Sequence, residues 1–240
     1  MLTAMCIAQV MILLDATIVQ VALPTIQREL GVKPANLAWI VNAYVLALAA
    51  LLLTGGALGD RYGRRRVFLA GLGLFTLGSA ACALSGDDPQ LVAARVVQGV
   101  GAAAMAPLTL SILTHAYPGP SSGRAIAIWA AVGSVGFGLG PVVGGFLVEH
   151  VDWSAIFWVN VPLGAICAGL CAAGVEESRD PAARALDPLG AVLAGACLFT
   201  LVFALLESGS TPWLAAPTTS PSKASGRWCR SSATARPTTA

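Results

Sequence analysis

Asp15 and Arg95 each lie inside a long apolar run, where charged side chains are rare. A charged side chain in the middle of a membrane span costs about 2.5–3.5 kcal/mol on insertion scales, so it normally faces a water-filled cavity or a polar partner. Arginine keeps its charge, so Arg95 must extend to the interface or find acceptors. Gln98 lies one helical turn after Arg95 and shares its helix face. These residue types favour proton binding or control of a transport pathway.

Both charged residues also have a simpler structural interpretation. Asp15 could be a packing residue that hydrogen-bonds to Thr17 or to a neighbouring helix, and Arg95 could anchor a helix end at the interface. Arg95 lies almost two helical turns after Pro89, however, and this depth favours a side chain that faces inward. The sequence leaves open whether Asp15 is the carboxylate that Arg95 contacts.

The histidines and cysteines do not indicate catalysis or metal binding. His115 and His150 lie at the edges of apolar runs without the spacing of metal ligands, and the sequence has no GxSxG or HExxH motif. None of the six cysteines forms a CxxC pair, and five lie inside apolar runs, where cysteine acts as a small packing residue. The sequence therefore predicts a protein that is not an enzyme and needs no metal or cofactor.

The elements that position these residues are predicted from the apolar runs themselves. Of the residues, 56% are hydrophobic and 11% are charged, whereas soluble domains carry about 25% charged residues. A spanning helix needs about 20 mostly apolar residues. We therefore expect an all-α integral membrane protein in the lipid bilayer, and its net charge of +2 gives no indication of nucleic-acid binding. Seven segments qualify as spans, near 3–23, 38–58, 67–85, 90–112, 125–148, 154–174 and 188–207.

The basic residues between the spans predict the orientation, because Lys and Arg accumulate on the cytoplasmic side of a membrane. No basic residue precedes Asp15, so residues 1–23 are expected to be a retained helix rather than a signal peptide. We therefore expect a multi-pass protein of the cell membrane with a cytoplasmic N-terminus. The second, fourth and sixth loops hold Arg61, Arg64, Arg65, Arg66, Arg124, Arg179 and Arg184, against Arg28 and Lys33 in the first, third and fifth.

Residues 56–65, the signature loop, join the second and third spans and combine glycines and an aspartate with arginines. Gly63 can adopt a positive φ and so permit a tight reversal of the chain. Asp60 can accept hydrogen bonds at the start of the next helix or pair with an arginine. A cytoplasmic location explains the arginines but not the aspartate and the glycines. The residues singled out here are Gly56, Asp60, Arg61, Gly63, Arg64 and Arg65.

The fifth span carries glycines at a spacing of four, which is typical of helices whose backbones approach closely in a membrane. Pro141 removes one backbone hydrogen bond from this span and can bend it. Simple helix packing accounts for the spacing alone, whereas the combination of glycines with Pro141 is more specific. The residues concerned are Gly133, Gly136, Gly140, Pro141, Gly144 and Gly145.

Together these motifs resemble the major facilitator superfamily, and within it the fourteen-helix drug:proton antiporters. The signature loop is similar to that superfamily's loop between helices two and three. Residues 95–101 resemble its helix-four motif, whose arginine is implicated in proton coupling, and residues 133–145 resemble the helix-five motif of antiporters. Residues 14–24 are similar to the first-helix motif of the fourteen-helix group.

The resemblance continues beyond these motifs and also has departures. Asp187 and Gly190 fit the start of helix seven, an additional central helix in the fourteen-helix group. Gln20 stands where asparagine is usual, and Ser154 and Ala155 replace an expected Arg-Trp pair. The second six-helix bundle of the family has no counterpart in this sequence. The start of helix six is matched by Trp153, Phe157, Asn160, Val161 and Pro162.

The resemblance implies a six-helix N-terminal bundle over residues 1–174, a cytoplasmic loop over 175–187 and an additional helix over 188–207. It implies alternating access, in which two bundles rock about a central site lined by helices one and four. Asp15, Arg95 and Gln98 would serve proton coupling or the substrate pathway. The signature loop would be a cytoplasmic gate, helix five would pack at the bundle interface, and the proton gradient would supply the energy in place of a cofactor.

We therefore expect the N-terminal half of a proton-coupled exporter of amphipathic drugs or antibiotics. Its partners would be protons, the bilayer and a separate C-terminal half or a second copy. Residues 215–240 are small, polar and basic, which predicts a disordered tail that is either natural or translated out of frame. A metabolite transporter of the same superfamily, or a non-transporting fragment with a regulatory role or none, remain alternative hypotheses.

Overall fold

The computed structural model describes residues 1–179 and 188–210, in which every regular element is an α-helix. This confirms the predicted all-α fold class. Val159 alone separates α6 from α7 and itself has helical dihedrals, so the two form one span. The eight helices in these residues are α1 (Leu2–Leu30), α2 (Pro34–Tyr62), α3 (Arg64–Ala83), α4 (Asp88–Ala116), α5 (Pro120–His150), α6 (Ala155–Trp158), α7 (Asn160–Gly174) and α8 (Pro188–Ser210).

Six helical segments within the described residues are long and apolar enough to cross a membrane, with α6 and α7 counted as one. They correspond to the first six predicted spans. α8 covers the predicted seventh span, and its apolar part is Leu193–Leu205. The predicted cytoplasmic loop is described only as far as residue 179, and the predicted tail over 215–240 lies outside the described residues.

Most of the helices extend beyond the apolar segments predicted from the sequence, whereas the sixth span, Ala155–Gly174, matches its predicted bounds to within one residue. α1 continues through Pro24 to Leu30 and ends at Gly31, whose φ of 63° is the left-handed conformation common after a helix. The second and third predicted spans leave residues 59–66 between them, whereas in the structure only Gly63 separates α2 from α3. The physical reason is that hydropathy locates the part of a helix inside hydrocarbon, whereas the backbone hydrogen bonds continue into the polar interface.

Close backbone approach between small residues holds the bundle together. A Cβ on Gly101 of α4 would meet the backbone of Phe75 in α3, so these two helices pack almost backbone to backbone. Larger apolar side chains fill the space around this contact; Met5, Met11 and Phe68 are fully buried. The result is a core in which α1 and α4 are the most buried of the spans.

α8 packs against the outer face of α2. The rings of Trp39 and Phe203 have centroids 6.1 Å apart, and a Cβ on Gly195 would lie 2.7 Å from Ala50 O. The additional helix is therefore in contact with the six-helix bundle through its second helix.

Candidate functional site

Five polar side chains from four helices meet in the interior of the bundle, and we call them the buried polar cluster. All five have no exposed surface. The helices place them there because α4 packs against both α1 and α3, and α7 packs against the same two helices. The cluster consists of Asp15 on α1, Ser79 on α3, Arg95 and Gln98 on α4, and Asn160 at the start of α7.

The Asp15 carboxylate is the centre of this cluster. Its Oδ2 accepts a hydrogen bond from Arg95 Nη1 at 2.5 Å. Its Oδ1 accepts from Gln98 Nε2 at 2.7 Å and from Asn160 Nδ2 at 3.1 Å. The carboxylate thus accepts hydrogen bonds from three donors, one of which is the Arg95 cation.

Arg95 points inward and does not extend to the membrane interface. Its Nε donates to Ile40 O at 3.1 Å, and its Nη1 donates to Gln98 Oε1 at 2.7 Å as well as to Asp15. The guanidinium carbon lies 4.3 Å from the ring centroid of Tyr44, a cation–π contact. Arg95 therefore faces inward rather than anchoring a helix end, and it contacts Asp15. The contacts of Asp15 with neighbouring helices fit both interpretations of that residue.

Ser79 and Asn160 extend the hydrogen-bond network around the Asp15 carboxylate. Ser79 Oγ donates to Phe157 O at 2.9 Å and lies 3.0 Å from Asn160 Nδ2 and 3.3 Å from Gln98 Nε2, from which it accepts. The sequence did not single out Ser79, because a serine inside an apolar run is common in membrane helices. For Asn160 the sequence indicates only a match to the start of helix six and no functional role.

In the signature loop, the structure decides between the two interpretations of Asp60. Its Oδ1 accepts from Arg64 Nε at 2.9 Å and lies 2.8 Å from Arg64 Nη2, so it pairs with an arginine one turn on. Gly63 has a φ of 110°, and it alone joins α2 to α3. Gly56 lies on α2 against Pro107 of α4, and Arg61 is exposed, with its guanidinium carbon 5.6 Å from the Tyr62 ring centroid.

The far side of this loop contacts the end of α7. Arg65 Nη2 donates to Ala172 O at 2.8 Å, and Arg65 N donates to Glu177 Oε1 at 3.1 Å. Arg66 Nε lies 3.6 Å from Glu177 Oε2. Glu177 was not predicted to be part of this region, since no local signal relates it to a loop more than a hundred residues earlier.

Four glycines of α5 form a stripe that faces α1. A Cβ on Gly133, Gly136 or Gly144 would contact Gln9, Val10 or Ile18, and one on Gly140 would overlap Thr17. Thr17 Oγ1 bridges the same contact by donating to Phe137 O at 3.1 Å. The helix that carries Asp15 is thereby packed against α5.

The remaining two residues of the predicted helix-five motif lie off this stripe. A Cβ on Gly145 would meet no atom within 4 Å, and Pro141 is exposed within the continuous helix α5. The glycine spacing of four selects the packed face, and Gly145, one residue after Gly144, necessarily points elsewhere.

An apolar pocket of about 400 Å³ lies between α1, α5 and α7. Its lining does not include the buried polar cluster. Within residues 1–179 and 188–210, no group of three or more His, Cys, Asp or Glu side chains could hold a metal ion. The pocket is lined by Leu2, Thr3, Cys6, Ile7, Val10, Ile128, Val132 and Leu163.

Comparison with known proteins identifies similar sequences. The multidrug resistance protein Stp of Mycobacterium tuberculosis (strain CDC 1551 / Oshkosh) is 43% identical over 209 residues, which is 87% of this chain and 39% of the relative. The tetracenomycin C resistance and export protein of Streptomyces glaucescens is 40% identical over 214 residues, 88% of this chain and 40% of the relative. The chain therefore spans about two fifths of the length of these curated relatives.

Solved structures share the fold at low sequence identity. A crystal structure of the peptide transporter POT superposes with a TM-score of 0.68 at 18% identity, covering 90% of this chain and 47% of that one. The human organic anion transporter MFSD10 gives a TM-score of 0.63 at 21% identity, covering 85% and 54%. At these identities the likeness shows the arrangement of helices alone.

The sequence model of one family matches residues 5–221, nearly the whole chain. This match includes the signature loop, the buried polar cluster and the glycine stripe of α5. It agrees with the resemblance drawn from the motifs, and it identifies a family of membrane transporters rather than of enzymes. The chain belongs to the Major Facilitator Superfamily.

Proposed function

We propose that this chain forms the N-terminal bundle of a proton-coupled antiporter that exports amphipathic drugs or antibiotics across the cell membrane. The observation that carries the proposal is the fully buried ion pair between Asp15 and Arg95, which Gln98 and Asn160 complete. The two relatives described above, a multidrug resistance protein and an antibiotic export protein, support the substrate class. The excess of arginines in alternate loops supports a cytoplasmic N-terminus.

Protonation of Asp15 is the step through which the proton gradient would act. A proton added to the carboxylate cancels its charge and leaves the buried Arg95 guanidinium without a counter-ion. An uncompensated buried charge is costly, so the protonated state favours an arrangement in which Arg95 has other partners or water. Release of the proton on the cytoplasmic side restores the ion pair and returns the bundle to its first arrangement.

The surrounding helices convert this local change into a movement of larger units. Asp15 and Arg95 lie on different helices, so a change in their attraction acts between α1 and α4. The stripe on α5 packs against α1, two residues beyond Asp15, at the contact of Gly140 with Thr17. A displacement of α1 would thereby be transmitted to α5.

In this proposal, export needs a second bundle to complete the site between two halves. Expression of the 240-residue chain alone in a drug-sensitive bacterial host should leave drug tolerance unchanged. Co-expression with a separate C-terminal half, taken from a relative, should raise the tolerance. The membrane fraction should contain the chain in both cases, as measured by immunoblot.

Replacement of the co-expressed half by an unrelated membrane protein is the matched control. The proposal is contradicted if the monomeric chain alone raises drug tolerance. It is also contradicted if the complemented pump exports drug equally well after a protonophore has dissipated the proton gradient.

A further inference from the structure

The first turn of α3 lacks the usual means of satisfying its backbone N–H groups. The first N–H groups of a helix have no acceptor inside the helix, and a Ser, Thr, Asp or Asn side chain at the N-cap often supplies one. The N-cap residue of α3 is Gly63, which has no side chain. Because α3 follows α2 after this single residue, the loop itself has no room for another capping side chain.

The segment after α7 supplies the missing acceptors. Ser178 O accepts from Arg64 N at 3.0 Å, and Glu177 Oε1 accepts from Arg65 N at 3.1 Å. The other carboxylate oxygen, Oε2, lies 3.6 Å from Arg66 Nε. One glutamate thus satisfies a backbone donor and pairs with a side chain of the same turn, and its negative charge suits the positive end of the helix dipole.

Gly63 is shaped for this contact in two ways. Its φ of 110° is a conformation that other residues rarely adopt. In addition, a Cβ at this position would lie 2.5 Å from Glu177 Oε1, so the absence of a side chain leaves the space that the carboxylate occupies. The carboxylate of the loop itself, Asp60, is paired with the Arg64 side chain.

We propose that Glu177 is a positioning residue for the signature loop: it caps α3 from the end of α7. Residues 177–178 lie directly before the chain that leads from the bundle to α8. Displacement of this segment would uncap α3 and free the Arg66 side chain. The geometry of the loop therefore depends on where the chain leaves the bundle. The consequence for cytoplasmic gating rests on the proposed function, whereas the cap itself does not.

Hydrogen exchange on the purified 240-residue chain in detergent micelles tests the cap. Loss of a capping side chain typically costs about 1 kcal/mol, which corresponds to about fivefold faster exchange through local opening. We expect this acceleration for amides 64–67 in Glu177→Ala. A smaller acceleration is expected in Glu177→Gln, because its amide oxygen still accepts a hydrogen bond. The neighbouring exposed glutamate provides the control, Glu176→Ala, in which exchange should not change.

Unchanged exchange in Glu177→Ala overturns the proposal, and so does an equal acceleration in Glu176→Ala. This measurement needs no substrate and no proton gradient. The result for the cap therefore holds even if the proposed drug export is not observed. Conversely, export by a complemented pump would stand even if the exchange of the α3 amides did not respond to Glu177.

A second measurement covers the case in which Glu177→Ala perturbs the whole bundle. Gly63→Ala introduces both backbone strain and a clash with the Glu177 carboxylate, and only the clash disappears when Glu177 is also truncated. In thermal unfolding of the chain, the double variant should lose less stability than the two single variants together. Additive losses would mean that the two residues do not act on each other, and the cap would be rejected.

Discussion

Among residues 1–179 and 188–210, two aspartate–arginine pairs have the same chemistry and different surroundings. Asp15 and Arg95 are fully buried, whereas the side chains of Asp60 and Arg64 are 40% and 17% exposed. A solvent-exposed pair contributes about 0.2–1 kcal/mol, but removal of one partner of a buried pair costs about 3–5 kcal/mol. A change of charge should therefore have a much larger energetic effect at the buried pair than at the partly exposed pair Asp60–Arg64.

Removal of one charge from the buried pair should have the largest effect. Arg95→Ala leaves the Asp15 carboxylate buried without its counter-ion, so we expect a loss of about 3–5 kcal/mol in the free energy of unfolding in micelles. Arg28→Ala, which removes an exposed arginine bonded to Thr25, should change it by less than about 0.5 kcal/mol.

The neutral double variant Asp15→Asn/Arg95→Gln sharpens this test. It should recover most of the stability lost in Arg95→Ala, because no uncompensated charge remains. In the complemented pump, the same double variant should still abolish proton-coupled drug efflux from vesicles. Normal stability of Arg95→Ala, or proton-coupled efflux by the double variant, would show that the buried pair is not what distinguishes the two regions.

The packing that supports the buried pair should give the next largest effect. Gly140→Ala places a methyl group where Thr17 lies, and overpacking of this kind costs about 1–3 kcal/mol. Gly138→Ala, in the same helix, meets no atom within 4 Å. This control should be neutral or stabilise the helix by about 0.5–1 kcal/mol, because alanine is the better helix former. Equal unfolding temperatures for the two variants would contradict the assigned α1–α5 contact.

Asn160 tests whether the cluster depends on its neutral members. Asn160→Ala removes the donor to Asp15 Oδ1 and leaves Ser79 Oγ with fewer partners. Loss of a buried hydrogen-bond partner costs about 1–3 kcal/mol, and the value should lie towards the lower end because Gln98 still donates to the same oxygen. Ser134→Ala, an exposed serine bonded within its own helix, is the control for thermal unfolding. An equal shift of the unfolding temperature in both variants would show that Asn160 does not stabilise the cluster.

The partly exposed pair of Asp60 and Arg64 should show the smallest change in stability. Asp60→Asn weakens the contact with Arg64, so we expect a loss of less than about 1 kcal/mol in the free energy of unfolding. The difference from the unsubstituted chain should shrink further in high salt, because exposed charges are screened. A loss of unfolding free energy as large as that of Arg95→Ala would show that the two pairs do not differ in their contribution to stability.

Several features of the site were predictable because they follow from local rules. The presence of buried charges was predictable because Asp15 and Arg95 are charged residues inside apolar runs. The sequence indicates that Gly63 can adopt a positive φ because glycine has no Cβ, and its φ in the structure is 110°. The face of α5 that packs was predictable from the spacing of Gly136, Gly140 and Gly144, although the helix that it meets was not.

Other features were not predictable because nothing local distinguishes the residues concerned. Ser79 resembles any serine of a membrane helix, and Glu177 resembles any charged residue in a loop between spans. The choice between the two roles of Asp60 also depended on geometry, since both partners lie within one helical turn. Helix ends were underestimated because hydropathy marks the hydrocarbon layer and not the last backbone hydrogen bond.

The amino-acid order thus indicates the approximate spans, their succession and which residues carry charge inside them, because hydropathy and helical spacing act over a few residues. Which of these groups meet depends on the packing of the helices. Arg95 and Asn160 reach Asp15 across 80 and 145 residues of chain, and Glu177 reaches Arg65 across 112. Such contacts form only when whole helices pack, and the packing of α1 against α4 brings two isolated charges together as one buried pair.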